Sequence, residues 1–180
     1  MIIKDRIDLL KWFNEKGFRY GAEIGSADGR FAQLMCENIP GLQLYCVDPY
    51  IPYENNWRSA DYQQKAYETA LERLSTYNAK IIRTTSIEAS LKILDESLDY
   101  VFIDGAHDFD HVMEDIIAWS RKVRKGGVVS LHDYYEFKTG GVIRAVNAYV
   151  EAHNIDLNLT LRNVAEHKDD QCPCAWWVVK

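Results

Sequence analysis

The chain has 180 residues, 47% of them apolar and 27% charged, and its 27 acidic and 21 basic side chains leave a net charge of −6. That length supports one full core, so a single domain over residues 1–180 is expected, with the composition of an ordinary folded protein. The acidity argues against general binding to nucleic acid or to a membrane surface, both of which need a basic face.

Hydrophobic periodicity then gives a regular alternation of elements. Ile3, Ile7, Leu10 and Trp12 or Phe13 mark an amphipathic helix that stops near Gly17. Its first residues include Lys4, Asp5, Arg6 and Asp8 where a signal peptide needs an apolar core, and no apolar run reaches membrane length, so a cytoplasmic location is expected. "RYGAEIG" is a buried strand and "GRFAQLMCENI" a helix closed by Pro40-Gly41. "LQLYCVD" is the second strand, and a long helix capped by Ser59 or Asp61 follows. "AKIIRTT" is the third strand, with a short helix around Ile87 to Leu94.

"LDYVFID" is the fourth strand, and "HVMEDIIAWSRKV" a helix that Gly126-Gly127 ends. On this reading Arg121, Lys122, Arg124 and Lys125 form the last helical turn, where cations oppose the dipole. "GVVSLHD" is the fifth strand and "GVIRAVNAYVEAH" the last helix. "LNLTLRN" and "CAWWVVK", joined by "EHKDD", close the chain as a β-hairpin. Cys36 and Cys46 fall in a helix and a strand as small buried thiols, and Cys172 and Cys174 form C-P-C, which matches neither zinc nor thioredoxin spacing, even with His167 nearby. The order specifies an α/β, doubly wound, mostly parallel sheet, in which ligands bind beyond the carboxyl ends of the strands.

The residues just after each strand are therefore the ones that matter. The first strand runs into "AEIGSADGR". A dinucleotide fingerprint needs glycine at the first, third and sixth positions from Gly25, and Ala27 and Arg30 occupy two of them. The pattern present is acid-x-Gly-x-x-x-Gly: Glu23, Gly25, Gly29. Glycines there let backbone approach a ligand, and the acid suits a cofactor carrying positive charge, such as S-adenosylmethionine. Asp48, closing the second strand, stands where a carboxylate accepts a ribose diol. Thr85 and Ser86 follow the third strand, Ser86 being either an N-cap or a neighbour of the adenine edge.

On Glu23-Ile-Gly25-Ser-Ala-Asp-Gly29, Asp48 and the closing hairpin, the chain resembles the class I S-adenosylmethionine-dependent methyltransferases from about Arg19 to Lys180. It departs from them at Ala27, where many members have a middle glycine. The resemblance implies a seven-stranded sheet of order 3-2-1-4-5-7-6 with a C-terminal antiparallel hairpin. It also implies cofactor contacts from Glu23, Gly25, Ser26, Gly29, Asp48, Thr85, Ser86 and Asp104.

A narrower likeness is to the small metal-dependent O-methyltransferases of macrolide-sugar and catechol type, which place metal ligands after strands four and five. The corresponding residues are Asp104, His132 and Asp133, with His107 as the base three residues past Asp104. The catechol type has Asp-Asn where this chain has His132-Asp133. Hard carboxylate oxygens suit Mg2+ or Mn2+, which would orient a hydroxyl and lower its pKa while a histidine takes the proton. Asp108 or Asp110 is a helix cap, with His111 on the exposed first turn.

The expected partner is a small hydroxylated acceptor. Tyr50, Tyr53, Trp57 and Tyr62 in one loop, and Tyr134, Tyr135 and Phe137 before Gly140-Gly141 in another, are candidates for a substrate lid or a homodimer contact. Alternative readings are a non-catalytic S-adenosylmethionine-binding module, a nicotinamide-dependent oxidoreductase and an iron site using His107, His132 and a carboxylate.

Overall fold

A computed structural model describes residues 3–52, 58–136, 140–161 and 172–180. The elements run α1 (Arg6–Glu15), β1 (Tyr20–Ile24), α2 (Arg30–Asn38), β2 (Gln43–Val47), α3 (Ala60–Leu74), β3 (Ala79–Ile82), α4 (Ser86–Ser90) and β4 (Leu98–Ile103). They continue with α5 (Phe109–Ser120), β5 (Val123–Leu131), α6 (Val142–Ala152), β6 (Asn158–Leu159) and β7 (Ala175–Val178). One seven-stranded sheet has the order β3-β2-β1-β4-β5-β7-β6. The first five strands pair in parallel, and β7 is antiparallel to both β5 and β6. The "EHKDD" turn of the hairpin, with His167, lies outside the described residues.

Both faces of the sheet are covered. Ala22, Ile24, Val101, Ile103, Val129 and Leu131 pack against α5 and α6, while Leu44, Cys46, Tyr100, Phe102 and Val128 pack against α1 and α2. All six residues of β4 are consequently buried, as a central parallel strand requires. No helix among the described residues is long and apolar enough to cross a membrane.

Register decides where the site forms. Ile24 pairs with Val47 and Ile103, and Ile103 with Leu131, so β1, β2, β4 and β5 end level with one another. Gly25, Asp48, Asp104 and His132 are the next residues along the chain and emerge at one edge.

The α5–β5 boundary differs from the sequence expectation. The helix ends at Ser120, and Gly126-Gly127 lie inside β5. The basic cluster is therefore not a helical turn: Lys122 Nζ pairs with Asp95 at 2.6 Å and Arg124 Nε with Asp99 at 2.7 Å. Asp99 also accepts from the backbone N–H groups of Arg19 and Tyr20. A Cβ on Gly127 would stand 2.4 Å from the Asp99 carbonyl oxygen, and the β4–β5 register shifts there. The glycine is a close-approach residue at a bulge, not a helix stop.

Candidate functional site

The β1 turn needs its glycine. Gly25 has φ of 90°, and a Cβ there would meet the Asp104 carbonyl oxygen at 2.1 Å. Asp104 N–H donates to the Ile24 carbonyl at 2.7 Å, so the turns after β1 and β4 touch at the parting of the sheet. Gly29, with φ of 75°, is the N-cap of α2. Ala27, the departure from the glycine pattern, is itself left-handed at φ 44°. Ser26 is buried, and its hydroxyl donates to the Glu23 carbonyl at 3.4 Å.

Ala27 holds that conformation with help from Asp48. Asp48 Oδ2 accepts the Ala27 N–H at 3.0 Å, and Oδ1 accepts the Tyr50 N–H at 2.8 Å. Tyr50 is also left-handed, at φ 51°. Such backbone is costly for residues with a Cβ and concentrates at functional sites. Burial raises the Asp48 pKa and the two amides oppose it. Tyr50 is not a lid residue: it is 2% exposed and packs on Tyr67, with ring centroids 4.9 Å apart. Tyr53, Trp57 and Phe137 lie outside the described residues, while Tyr62 and Tyr135 are exposed.

Glu23 points from β1 into the α1–α2 side of the sheet. Burial, and then the charge of Asp104, push it up to about 8. Its Oε2 is buried without a hydrogen-bond partner among the described residues. Thr85 is the N-cap of α4. Ser86 turns inward, donating to Asp115 and accepting from Trp119 Nε1 at 2.8 Å.

Four titratable side chains after β4 and β5 converge. His107 Nε2 lies 3.0 Å from Asp133 Oδ2 and 4.0 Å from Asp104 Oδ1. His132 Nδ1 lies 3.2 Å from Asp133 Oδ1 and 3.7 Å from Asp104 Oδ1. Asp133 thus takes one histidine on each oxygen. It is left-handed, at φ 54°. Burial works to raise its pKa, but the bonds from His107 and His132 hold it well below the carboxylate range. The Asp133 bond raises His107. Burial works to lower His132, but the charge of Asp104 and the bond to Asp133 outweigh it. Asp104 is raised, by burial first, against the pull of His132.

Among the described residues, Asp104, His107 and Asp133 bring one ligand atom each within 4.8 Å of one another. His132 lies deeper, with Nε2 buried and unpartnered among the described residues. His107, with 47% of its side chain open, is the most exposed of the four. Gly141 positions this loop: its N–H donates to the His107 carbonyl at 2.6 Å, and a Cβ there would strike Phe109 N at 2.2 Å. That glycine is packed rather than hinged. Asp108 caps α5, with His111 on the exposed first turn.

Sequence reasoning missed Arg6 and Asp115. Arg6 is buried with its guanidinium carbon 4.7 Å over the Phe31 ring, and its charge works to lower Glu23 and Asp104. The signal was its place on the apolar stripe Ile3, Arg6, Leu10, Phe13. Asp115 likewise sits on the stripe Val112, Asp115, Ile116, Trp119, all of it buried.

Residues 22–134 match the family described as "Methyltransferase domain". Uncharacterized protein R132 of Acanthamoeba polyphaga mimivirus is 27% identical over 149 residues, 79% of this chain and 64% of that one. The chain therefore spans less than two thirds of that relative's length. Among solved structures, an O-methyltransferase from Bacillus cereus in complex with SAH superposes with a TM-score of 0.71 at 14% identity, covering 97% of this chain and 80% of that one. The O-methyltransferase TomG from Streptomyces achromogenes, in complex with SAM, gives 0.69 at 16% identity over 97% and 80%. Spermidine synthase from Thermotoga maritima gives 0.69 at 12% over 95% and 57%. At these identities the likeness is one of fold. With more than half of its residues matched by the family, this chain belongs to the methyltransferase-domain family and has the class I S-adenosylmethionine-dependent methyltransferase fold.

Proposed function

We propose that the chain transfers the methyl group of S-adenosylmethionine to a hydroxyl of a small molecule, with His107 as the base. The observation that carries this is the 3.0 Å contact between His107 Nε2 and Asp133 Oδ2, on a half-open ring at the strand-end crevice. Asp133 orients the ring through Nε2, and His107 takes the hydroxyl proton. The acceptor oxygen attacks the methyl carbon in line, the O–CH3 bond forms as the S–CH3 bond breaks, and neutral S-adenosylhomocysteine leaves. Glu23, Gly25, Ser26, Gly29 and Asp48 form the cofactor side, and holding the two reactants in line supplies most of the acceleration.

Metal assistance is a second reading, favoured by the grouping of Asp104, His107 and Asp133. Two carboxylates and an imidazole fit a divalent cation, Mn2+ better than Mg2+ because of the nitrogen. Those three residues would hold it, with His132 orienting Asp133. The cation would supply orientation and a lowered hydroxyl pKa.

The test is calorimetric titration of S-adenosylhomocysteine, followed by methyl-transfer assays on sugar diols and catechols with Mn2+, Mg2+ or EDTA. Micromolar binding with turnover that survives EDTA is the result expected for the His107–Asp133 pair acting alone. Turnover restored only by added metal would favour the metal reading. Absence of S-adenosylhomocysteine binding would overturn both, and NADH titration would then test the nicotinamide alternative.

A further inference from the structure

Apolar side chains scattered singly over a surface need no partner, but those of α4 and the turn after it are grouped. Ala89 and Ile93 are buried, whereas Ile87 is exposed, Leu91 is 81% exposed and Leu94 79%. α4 and α6 both pack against α5, and since α4 follows β3 while α6 leads toward β7, at opposite wings of the sheet, they flank it. On the α6 side a groove of about 320 Å³ opens between α5 and α6, lined by Met113, Ile117, Ala148 and Tyr149. Arg121 and His153, the C-caps of the two helices, also line it and make that end basic.

The leucine turn is acidic in turn, with Glu88 and Glu96 exposed around it. It is fastened beside the basic end of the groove. Glu96 N–H donates to the Arg121 carbonyl at 2.9 Å, and Lys122 Nζ pairs with Asp95 at 2.6 Å. A chain cannot seat these leucines in its own groove, because α5 stands between them.

We propose that this face binds a second copy of the chain, the Leu91–Leu94 turn of each protomer seated in the α5–α6 groove of the other. A two-fold interface needs self-complementarity, residue i meeting j while j meets i. An apolar acidic turn and an apolar basic groove on either side of one helix meet that need. Ile117, 44% exposed on α5 between them, lies near the axis, and Glu96 of one protomer faces Arg121 of the other. The His107 loop stands at the opposite, N-terminal ends of α5 and α6, so both crevices stay open and the dimer does not depend on the proposed reaction.

The experiment is sedimentation velocity over a range of protein concentrations, with circular dichroism to confirm folding. Wild type should dimerise. Each leucine returned to water costs roughly 10- to 100-fold in affinity, and the symmetry counts it twice. The double variant Leu91→Ser, Leu94→Ser should therefore weaken the dimer by at least ~100-fold while keeping its fold, because both side chains are exposed in the monomer. Arg121→Glu should also separate the protomers, and Glu96→Arg added to it should restore them. Wild type that stays monomeric at the highest concentration would overturn the inference and leave the groove to another occupant. A dimer that survives loss of both leucines would overturn it too and assign the contact to another face, such as the aromatic loops. So would a charge swap that fails to restore the dimer.

Discussion

Asp48→Ala separates the proposed ribose contact from a backbone role that the fold gives to the same side chain. The carboxylate accepts backbone N–H bonds from Ala27 and Tyr50 at 3.0 and 2.8 Å, and both donors are left-handed non-glycine residues. Each bond to a charged acceptor contributes roughly 1.5–3 kcal/mol. Relief of the carboxylate's burial, which raises its pKa, offsets part of that loss. The net destabilisation should be about 2–4 kcal/mol. Asp48→Asn keeps one acceptor oxygen and should lose about half as much.

Urea unfolding read beside S-adenosylhomocysteine titration is the assay. Adding Ala27→Gly to Asp48→Ala should recover about 1 kcal/mol, because glycine populates the left-handed region freely. An Asp48→Ala protein as stable as wild type, yet unable to bind the cofactor, would refute the backbone role. A destabilised protein with unchanged affinity would remove Asp48 from the ribose site.

Glu23→Gln should flatten the pH dependence of stability. Burial sets Glu23 at about 8 in the folded chain against an ordinary 4.5, so the native state keeps a proton that the unfolded chain releases. Its contribution is full below pH 4.5 and falls as pH rises through 8. The variant should therefore gain about 3 kcal/mol on wild type between pH 4.5 and 7, and parallel urea midpoints would contradict the burial of that carboxyl. Asp133→Asn tests the base. Asp133 raises His107 above its ordinary 6.5, and only neutral His107 takes a proton, so kcat/KM should fall on the acid side of a pKa above that value. In the variant the limb should move to lower pH with a reduced plateau. A limb that instead tracks the concentration of added Mn2+ would assign it to metal binding.

Much of the molecule was legible because its signals are local. Strand and helix periods placed the elements apart from the α5–β5 boundary, and the residues after β1, β2, β4 and β5 do emerge at one edge of the sheet. The α5–β5 junction was not legible. A basic run followed by Gly126-Gly127 satisfies a helix C-terminus as well as a bulge, and only the distant partner Asp99, bound to Arg124 and to the β1 backbone, decides between them. Tyr50 looked like an exposed lid because its neighbours are aromatic, but the Asp48 bond to its N–H turns the chain and buries the ring on Tyr67. Arg6 and Asp115 announced themselves as charges on apolar stripes, without saying what faced them.

The sequence by itself determined the α/β alternation, the glycine turn after β1 and the set of titratable groups after β4 and β5. Only the tertiary structure decided that Asp133 bridges two histidines, that Gly141 presses the His107 loop into place and that Ser86 faces Asp115 rather than solvent. Apart from the His132–Asp133 contact between chain neighbours, these contacts join residues on different loops and helices. Their distances follow from strand register and helix packing, which no local pattern encodes.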